Sequence, residues 1–282
     1  MTSEPLVSVI VVTRNSTRTL DDCLASIRNQ TYTPIELIVV DNGSTDETLS
    51  VARRYSDIVE TFGPERSAQR NRGAESSHGE YVLFIDSDMH LSPGVVRDCV
   101  DAMVGTKAPG VVIPEVSVGE GFLARSRALE RRCYVGDDEI ESARFFSKKA
   151  FDAAGGFDER LTGTEDKDLM VRVAVGRRLP RTSSYITHYE GRVRIGPLID
   201  KRRYYTVSSV HYWHKHGRSS VRQANIIFRP AFIRNWRLLA RHPLLTSGIL
   251  FLKTLETLGI AWGLAEAWVG ALGRRGAAPT SF

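Results

Sequence analysis

The sequence predicts an α/β domain with a mainly parallel sheet, followed by a helical C-terminal extension. Over the first 120 residues, short apolar runs alternate with helix-like segments of about 10–15 residues, the pattern of βαβ units. The pattern becomes mixed after residue 120 and helical after about residue 200. An apolar share of 42% and a charged share of 25% exclude a disordered or low-complexity chain. We therefore divide the 282 residues into a domain over 1–200 and an extension over 201–282.

Each predicted element rests on local patterns of apolar residues, caps and turn formers. Residues 7–12 form a continuous apolar run, which is typical of a buried strand, and residues 17–30 have the apolar spacing of a helix. Ser44 and Glu47 form a capping box, which predicts a helix to about Tyr55. The other expected strands are 35–40, 58–61, 81–85 and 111–118, and the other helices are 66–76 and one that starts at Ser92 as N-cap with Pro93 at the first position.

The net charge of +5 is unevenly distributed along the chain. Residues 1–191 hold 23 Lys and Arg against 30 Asp and Glu, whereas residues 192–241 hold 12 basic residues against Asp200 alone. This basic segment suits lipid headgroups, a phosphorylated substrate or nucleic acid, or it is the solvated face of a helix. Three widely spaced cysteines favour a reducing compartment, and the N-terminus lacks the basic start of a signal peptide.

Polar residues follow three predicted strands at their carboxyl ends, where open α/β sheets bind ligands. They are Thr13, Arg14 and Asn15 after the first strand, Asp41 and Gly43 after the second, and Asp86 and Asp88 after 81–85. Alternate acids that leave a strand can give oxygens to a hard divalent cation whose other ligands are waters and substrate phosphates. The alternative is a turn that caps the next helix.

Two later segments also have both a structural and a functional interpretation. Gly155 and Gly156 form either an ordinary turn or a turn that allows close approach of the backbone to a substrate. Glu165, Asp166 and Asp168 precede an apolar run, so they lie at a helix N-terminus, where the helix dipole favours acids in any case.

Four segments in order resemble the successive signatures of family 2 glycosyltransferases. They are VSVIVVTRNS, IELIVVDNGSTDET, RNRGAESSHGEYVLFIDSDMHL and GGFDERLTGTEDKDLMVR, and they cover roughly residues 5–190. The resemblance implies a GT-A-type, Rossmann-like nucleotide-binding domain that transfers a hexose from a nucleotide sugar with inversion. It also implies Mn²⁺ or Mg²⁺ as cofactor, and we expect a UDP-sugar or a GDP-sugar as donor.

The same resemblance implies roles for individual residues. Asp166 would be the catalytic base, with Glu165 and Asp158 as the next candidates. Asp88 and Asp86 match the D-x-D motif that binds the metal. His188 follows the core motifs, and it either reaches the metal or the diphosphate or is a structural histidine. The residues expected to contact the donor are Thr13, Arg14, Asn15, Asp41, Gly43, Arg70, Asn71, Asp86, Gly156 and Glu165. Asp168 points about 200° around the helix from Asp166, so Asp168→Asn is expected to affect sugar transfer much less than Asp166→Asn.

The composition of the C-terminal extension predicts that it contacts a membrane surface. Residues 244–273 are rich in Leu, Ile, Ala and Trp, but three charged residues interrupt them. A spanning helix needs about 20 apolar residues, so an amphipathic helix or a short hairpin in the interface fits better, with Trp262 and Trp268 at headgroup depth. The alternative is a helix packed on the catalytic domain or on another subunit.

This prediction extends to the location and the partners of the protein. We expect a cytoplasmic protein at the inner face of the cell membrane, with a saccharide or lipid-linked acceptor and no nucleic acid partner. Its role would lie in glycan, polysaccharide or glycolipid assembly.

Two other functions are compatible with this fold class. A nucleotidyltransferase that makes nucleotide sugars would show a glycine-rich basic loop after the first strand, and residues 13–16 lack glycine. A non-catalytic module that binds a saccharide or lipid would not need the acids at 86, 88 and 166. His211, His214 and His216 have no acid near them in the sequence and are expected to be structural or to face the acceptor. We expect Arg144 at the surface, and the alternative is that it faces the donor or the acceptor.

Overall fold

The computed structural model describes residues 4–217 and 229–276, with side chains to residue 268, and it confirms the α/β prediction. Its strands are β1 (Val7–Thr13), β2 (Ile35–Asp41), β3 (Ile58–Thr61), β4 (Tyr81–Asp86), β5 (Met89–Leu91), β6 (Gly110–Val112), β7 (Glu115–Glu120), β8 (Ala143–Ser147) and β9 (Ile186–Arg192). Its helices in the described residues are α1 (Thr17–Arg28), α2 (Thr48–Tyr55), α3 (Arg66–Glu75), α4 (Val95–Thr106), α5 (Gly121–Arg132), α6 (Lys148–Ala153), α7 (Glu165–Ala174), α8 (Ile195–His216), α9 (Pro230–Arg234), α10 (Trp236–Ala240) and α11 (Pro243–Gly276).

The main sheet has six strands in the order β3-β2-β1-β4-β8-β6. The pairs β3–β2, β2–β1 and β1–β4 are parallel, and the pairs β4–β8 and β8–β6 are antiparallel. A smaller sheet has the order β5-β9-β7, in which β9 pairs antiparallel with β5 and parallel with β7. The carboxyl ends of β1, β2 and β4 therefore lie at one edge, beside β5 and β9.

Apolar layers cover both faces of the main sheet, which explains why its central strands are continuous apolar runs. Alternate residues of β1 point to opposite faces: Val9 and Val11 pack on one layer, and Ile10 packs on the other. The first layer includes α1 and α4, and the second includes α7 and a cluster of phenylalanines. These layers fix the strand ends from which the polar loops emerge.

The predicted capping box at Ser44 is wrong. The helix α2 begins at Thr48, and the Ser44 side chain is used elsewhere, because its hydroxyl and its backbone N–H both donate to the carboxylate of Asp41. The Asp46 carboxylate instead accepts from the N–H of Thr48 (3.1 Å). A contact with the end of β2 therefore outcompetes the local cap.

Two further boundaries differ from the sequence prediction. The helix α4 begins at Val95 rather than after Ser92, whose hydroxyl accepts the Tyr185 N–H (3.1 Å). The single strand expected over 111–118 is two strands, β6 and β7, which belong to different sheets and are separated at Pro114. Proline lacks the N–H that a continuous ladder needs.

The C-terminal part is helical in the residues that the structure describes, as predicted. The helix α11 is one continuous helix of 34 residues rather than a hairpin, and it packs along α8 and α5. By length and composition its segment Pro243–Trp268 is apolar enough to cross a membrane, and an 18-residue window in it has a mean hydropathy of 1.4. A third of the residues in that window are buried against the protein (33%). The predicted domain boundary at residue 200 lies inside α8 and stays a prediction.

Candidate active site

A cleft of about 640 Å³ opens at the carboxyl edge of the main sheet, between β9, α5, α7 and α8. Its lining includes five of the residues that the sequence singled out: Asp86, Asp88, Glu165, Asp166 and His188. These residues come from three distant parts of the chain, and the crossovers of the fold bring them together.

Arg70, on α3, holds three of the carboxylates of this cleft. Its side chain is 1% exposed, and its guanidinium lies over the ring of Phe157 (5.2 Å to the ring centre). Its Nη2 donates to Asp86 Oδ1 (2.7 Å), and its Nη1 donates to Asp166 Oδ1 (2.9 Å) and to Glu165 Oε1 (3.3 Å). Arg70 therefore joins the end of β4 to the start of α7.

Two more arginines balance the charge of these carboxylates. Arg144 donates to Glu115 Oε1 (2.6 Å), and its Nη2 lies 3.7 Å from Asp86 Oδ2. Arg66 Nη2 lies 3.2 Å from Glu165 Oε1. Arg144 is buried rather than at the surface, so that prediction is wrong; a lone arginine in a strand gave no signal of its distant acid partners.

The arginines and burial act in opposite directions on the carboxylate pKa values. Burial opposes the charge of Asp86, but the guanidinium groups of Arg70, Arg144 and Arg66 outweigh it and hold the pKa of Asp86 well below its usual range. Burial and then the charge of Asp166 raise the pKa of Glu165. Asp86 is therefore the fixed anion, and Glu165 takes up a proton more readily than an ordinary glutamate.

Asp166 lies in the first turn of α7 and is the acid of the α7 pair that remains open to the cleft. Its side chain is 28% exposed, against 3% for Glu165. Arg70 contacts Oδ1 alone, so Oδ2 is not taken up by that contact. A carboxylate that is anchored through one oxygen and open at the other can accept a proton from a bound hydroxyl.

Asp88 and His188 form a pair at the other side of the cleft. The pairing of β5 with β9 brings them together, and His188 Nε2 lies 3.1 Å from Asp88 Oδ2. Burial lowers the pKa of His188, but the hydrogen bond and charge of Asp88 outweigh it and raise the pKa overall. The other ring nitrogen, Nδ1, is buried without a hydrogen-bond partner.

This pair fits a divalent cation only if a substrate supplies further ligands. In residues 4–217 and 229–268 no three His, Cys, Asp or Glu side chains come together in a metal-binding group. Both oxygens of Asp86 already face guanidinium groups, whereas Asp88 is 40% exposed. A site with an open carboxylate and an imidazole suits a hard cation that keeps waters and substrate phosphates.

The loops after β1 and β2 are tied to each other beside the cleft. Asn15 N–H donates to Ser44 Oγ (2.7 Å), and Asn15 Oδ1 accepts the Thr45 N–H (2.9 Å). Asp41 is fully buried, and Gly43 has φ +63°, which glycine adopts without strain. Asp41 thus shapes the loop in this structure.

Asn71 and Gly156 fix the loop that precedes α7. Asn71 Oδ1 accepts the Phe157 N–H (2.8 Å), and its Nδ2 donates to the Phe157 carbonyl (3.0 Å). A Cβ on Gly156 would lie 2.7 Å from Asn71 Oδ1, so only glycine fits. The predicted donor-binding residues that the structure places outside the cleft lining are Thr13, Arg14, Asn15, Asp41, Gly43, Arg70, Asn71 and Gly156.

The histidine cluster of α8 lies near acids after all. Its member His216 has Nε2 2.7 Å from Asp168 Oδ1, and Lys215 Nζ lies 2.9 Å from Asp158 and 2.8 Å from Asp168. Asp168 is fully buried and also pairs with Arg172 (2.6 Å). Asp168 is therefore an anchor for α8, so its substitution is expected to lower stability, and the prediction of a milder effect on transfer than at Asp166 stays a prediction.

Sequence reasoning missed one wall of the cleft, which α8 supplies. The cleft-lining residues of α8 and its N-cap are Arg194, Pro197, Leu198, Lys201, Arg202 and Tyr205. Their spacing places them on one face of the helix, which is a signal that a search for the 3.6-residue period in this segment could have found.

Comparisons with known proteins agree with this architecture. The family model described as Glycosyl transferase family 2 matches residues 8–157, slightly more than half of the chain. The chain belongs to glycosyl transferase family 2. It is 33% identical over 182 residues to the PGL/p-HBAD biosynthesis glycosyltransferase of Mycobacterium bovis, an alignment that covers 60% of this chain and 69% of that protein.

Other family 2 relatives share a shorter segment. The putative glycosyltransferase EpsH of Bacillus subtilis is 37% identical over 95 residues, which cover 32% of this chain and 28% of that protein. The uncharacterized glycosyltransferase YibD of Escherichia coli is 32% identical over 99 residues, which cover 33% of this chain and 29% of that protein. The chain thus spans under a third of the length of these two relatives.

Solved structures establish the GT-A fold. TarS of S. aureus (residues 1–349, with UDP-GlcNAc) superposes with a TM-score of 0.56 at 18% identity, over 93% of this chain and 88% of that one. A mannosyltransferase of Pyrobaculum calidifontis, with GDP-Man and Mn²⁺, superposes with a TM-score of 0.58 at 20% identity, over 96% and 76%. The predicted GT-A fold and family are confirmed.

Proposed function

We propose that this family 2 protein is an inverting glycosyltransferase that moves a hexose from a nucleoside-diphosphate sugar to an acceptor hydroxyl or lipid phosphate. One observation carries the proposal: buried Arg70 gathers Asp86 and Asp166 at a cleft that Asp88 and His188 also line. The acids of two separate sequence motifs therefore face the same cleft. Acids that served only to cap a helix would not need to face each other in this way.

Asp166 is the proposed catalytic base. An acceptor hydroxyl must lose its proton as it attacks the anomeric carbon, and an open carboxylate oxygen can take that proton. Arg70 holds Asp166 in place through Oδ1 (2.9 Å). A single base with no enzymic nucleophile suits one displacement, and hence inversion.

Asp88 and His188, with Asp86 nearby, are the residues proposed to hold Mn²⁺ or Mg²⁺. The cation would stabilise the negative charge that develops on the leaving diphosphate. Asp88 offers an exposed carboxylate and His188 an adjacent ring nitrogen. Asp86 contributes a fixed negative charge, since Arg70 and Arg144 hold its two oxygens.

The donor is proposed to be a UDP-sugar or a GDP-sugar, held by the donor-binding residues predicted from the sequence. The structural neighbours are named with UDP-GlcNAc in one case and GDP-Man in the other. The tied loops after β1 and β2 lie beside the D-x-D motif, as Ser87 Oγ donates to Ser16 Oγ (2.8 Å). The loops proposed to hold the nucleoside therefore lie next to the proposed site of the diphosphate.

A screen of nucleotide sugars tests this function. Release of nucleoside diphosphate is expected with Mn²⁺ or Mg²⁺ and not with EDTA, and Asp88→Ala should abolish it. The control Glu75→Ala changes an acid whose side chain is 68% exposed, on the far end of α3, and should be silent. Full release in EDTA would refute the metal assignment. Release of pyrophosphate from a nucleoside triphosphate and a sugar phosphate would instead identify a nucleotidyltransferase. Binding of a nucleotide sugar without release of nucleoside diphosphate would identify a non-catalytic module.

We further propose that α11 lies on the cytoplasmic face of a membrane that holds a saccharide or lipid-linked acceptor. Its large exposed side chains in the described residues are apolar, among them Phe251, Leu258, Trp262 and Trp268. The exposed acid of that face, Glu266, is paired with Arg203 (3.1 Å). Such a mainly apolar face with tryptophans suits the interfacial region of a bilayer.

Vesicle flotation tests the membrane proposal. The protein should float with vesicles of anionic lipid, more strongly at low salt, because salt screens the attraction of headgroups for basic residues. Leu258→Glu, on the exposed face of α11, should prevent flotation, whereas the control Val104→Glu, at a similarly exposed apolar residue of α4, should leave flotation unchanged. A protein that never floats would favour a protein partner over the apolar face.

A further inference from the structure

We propose that Arg18, Arg194 and Lys201 form a phosphate-binding subsite at the rim of the cleft. The inference rests on the proposed function, since it names the charged group of the substrate that this part of the cleft receives. None of the four motifs that resemble the family contains these residues, although Arg194 and Lys201 belong to the basic segment 192–241.

Among the described residues, the three side chains differ from most other cations of the cleft in having neither an acid partner nor a side-chain hydrogen bond; Lys167 has no acid partner either, but its Nζ donates to the backbone carbonyls of Asp138 and Glu141. Most cleft arginines are paired: Arg66 with Glu165, Arg131 with Glu115 and Glu190, Arg144 with Glu115 and Asp86, and Arg127 and Arg202 with Glu256. In the described part of the chain, Arg18, Arg194 and Lys201 form no ion pair or side-chain hydrogen bond. Lys201 contacts the ring of Tyr205 (5.6 Å to the ring centre).

Arg194 and Lys201 lie on the cleft-facing side of α8. Arg194 is the N-cap and Lys201 lies seven residues on, which is two helical turns and therefore the same face. Lys201 shares the ring of Tyr205 with Arg66 (5.7 Å to the ring centre), and Arg66 pairs with Glu165 beside the proposed base.

Arg18 approaches the same region from α1. Its Nη2 would lie 3.5 Å from a Cβ placed on Gly191, which is in β9 three residues after His188. The three cations therefore flank the Asp88–His188 pair, from α1 on one side and from α8 on the other. All three line the cleft that holds the proposed catalytic residues.

Three unpaired positive charges around one cleft attract anions and repel each other. A phosphate or diphosphate satisfies both guanidinium groups and the ammonium with charge-assisted hydrogen bonds. The phosphate could come from the diphosphate of the donor or from a phosphate on the acceptor, and both have the same chemistry at this subsite. The two sources can be distinguished by which test ligand binds the protein more weakly once the three charges are removed.

The test compares two variants that each lose three positive charges. The subsite variant combines Arg18→Gln, Arg194→Gln and Lys201→Gln. The control combines Arg53→Gln, Arg125→Gln and Arg192→Gln, which are exposed and lie outside the cleft lining. All six side chains are exposed, so both proteins should unfold at the temperature of the wild type.

Binding is measured in EDTA, from the rise in melting temperature with pyrophosphate, UDP, uridine and octyl phosphate. We expect the subsite variant to bind pyrophosphate at least about tenfold more weakly than the wild type and the control. A loss for UDP but not for uridine assigns the subsite to the donor. A loss for octyl phosphate with UDP unchanged assigns it to the acceptor.

The inference is overturned if the subsite variant binds pyrophosphate, UDP and octyl phosphate as the wild type does, if the control loses as much, or if the wild type binds none of them. The failure of the proposed function looks different. If the wild-type protein binds pyrophosphate through these residues but binds no nucleoside diphosphate, the subsite is supported and the proposed donor is refuted.

Discussion

Two buried charge networks of similar composition lie near α8, and they differ in how much of their carboxylates they leave exposed. The first, here the Arg70 network, consists of Arg70 with Asp86, Glu165 and Asp166. It keeps 19% of the Asp86 side chain and 28% of the Asp166 side chain exposed to the cleft.

The second, here the Glu256 network, joins α11 to α5 and α8. Glu256 contacts Lys253 (2.7 Å), Arg127 (2.7 Å) and Arg202 (2.9 Å), and Lys253 also contacts Glu130. Glu256 is fully buried and Lys253 almost so. The same kinds of ion pair thus hold elements together in both places, but only the Arg70 network presents carboxylates to a substrate. Burial of a charge alone does not mark a functional site.

The largest effect is expected from the removal of Arg70. Arg70→Met leaves three carboxylates without their shared cation, so the free energy of unfolding should fall by about 3–5 kcal/mol. Sugar transfer should fall below detection, because Asp166 and Asp86 lose their anchor. Urea unfolding and initial rates measure the two effects.

Arg72→Met is the matched control on the same helix. Arg72 is 42% exposed and pairs with Glu60 and Glu75, so its loss should cost at most about 1 kcal/mol. Equal losses for the two variants would mean that Arg70 has no special role in the site.

The Glu256 network should affect stability without affecting binding of the donor. Glu256→Ala leaves Lys253 and two arginines without their shared acid, and should cost about 3–5 kcal/mol of unfolding free energy. Nucleotide affinity, measured by calorimetry below the melting temperature, should stay unchanged. Glu266→Ala, at a partly exposed pair, should cost at most about 1 kcal/mol. A loss of nucleotide affinity in Glu256→Ala would break the contrast between the two networks.

A smaller, pH-dependent effect is expected at Asp168. Burial opposes its charge, but hydrogen bonds from Lys215, His216 and Arg172 outweigh it and lower the pKa of Asp168 below its ordinary value of 3.8. The stability that this carboxylate contributes is therefore fully present above about pH 4 and is lost as the pH falls through the folded-state pKa.

Asp168→Asn should cost about 1–3 kcal/mol at pH 7, because it leaves buried donors without their anion. The difference from the wild type should shrink when unfolding is measured at pH 3. A difference that is constant with pH would show that the carboxylate charge does not hold α8.

The sequence was sufficient to predict some of the acids of the cleft, Asp86, Asp88 and Asp166, because each follows a strand or begins a helix within an ordered set of motifs. It gave no signal for others that line the cleft, such as Glu115 and Glu190. It also could not predict that Arg70 and Arg144 pair with the acids, since these residues meet only through tertiary contacts. Local rules failed for the same reason at Ser44, whose hydroxyl bonds to Asp41 instead of capping α2.

The position of α11 on the protein also could not be predicted from the sequence. Its apolar composition is compatible with a membrane surface and with a protein surface, and the ion pairs of Lys253 and Glu256 decide which face is buried. The exposed face then follows from helical geometry, with Phe251, Leu258 and Trp262 on it.

The central claim is that Asp166 accepts the proton of the acceptor while Arg70 holds it in place. Asp166→Asn keeps an oxygen for Arg70 but removes the base. With a donor and acceptor pair in hand, kcat of this variant should fall by at least about a hundredfold, with donor affinity unchanged. Asp152→Asn, at an exposed acid outside the cleft, should be silent. Near-normal turnover in Asp166→Asn would contradict the account.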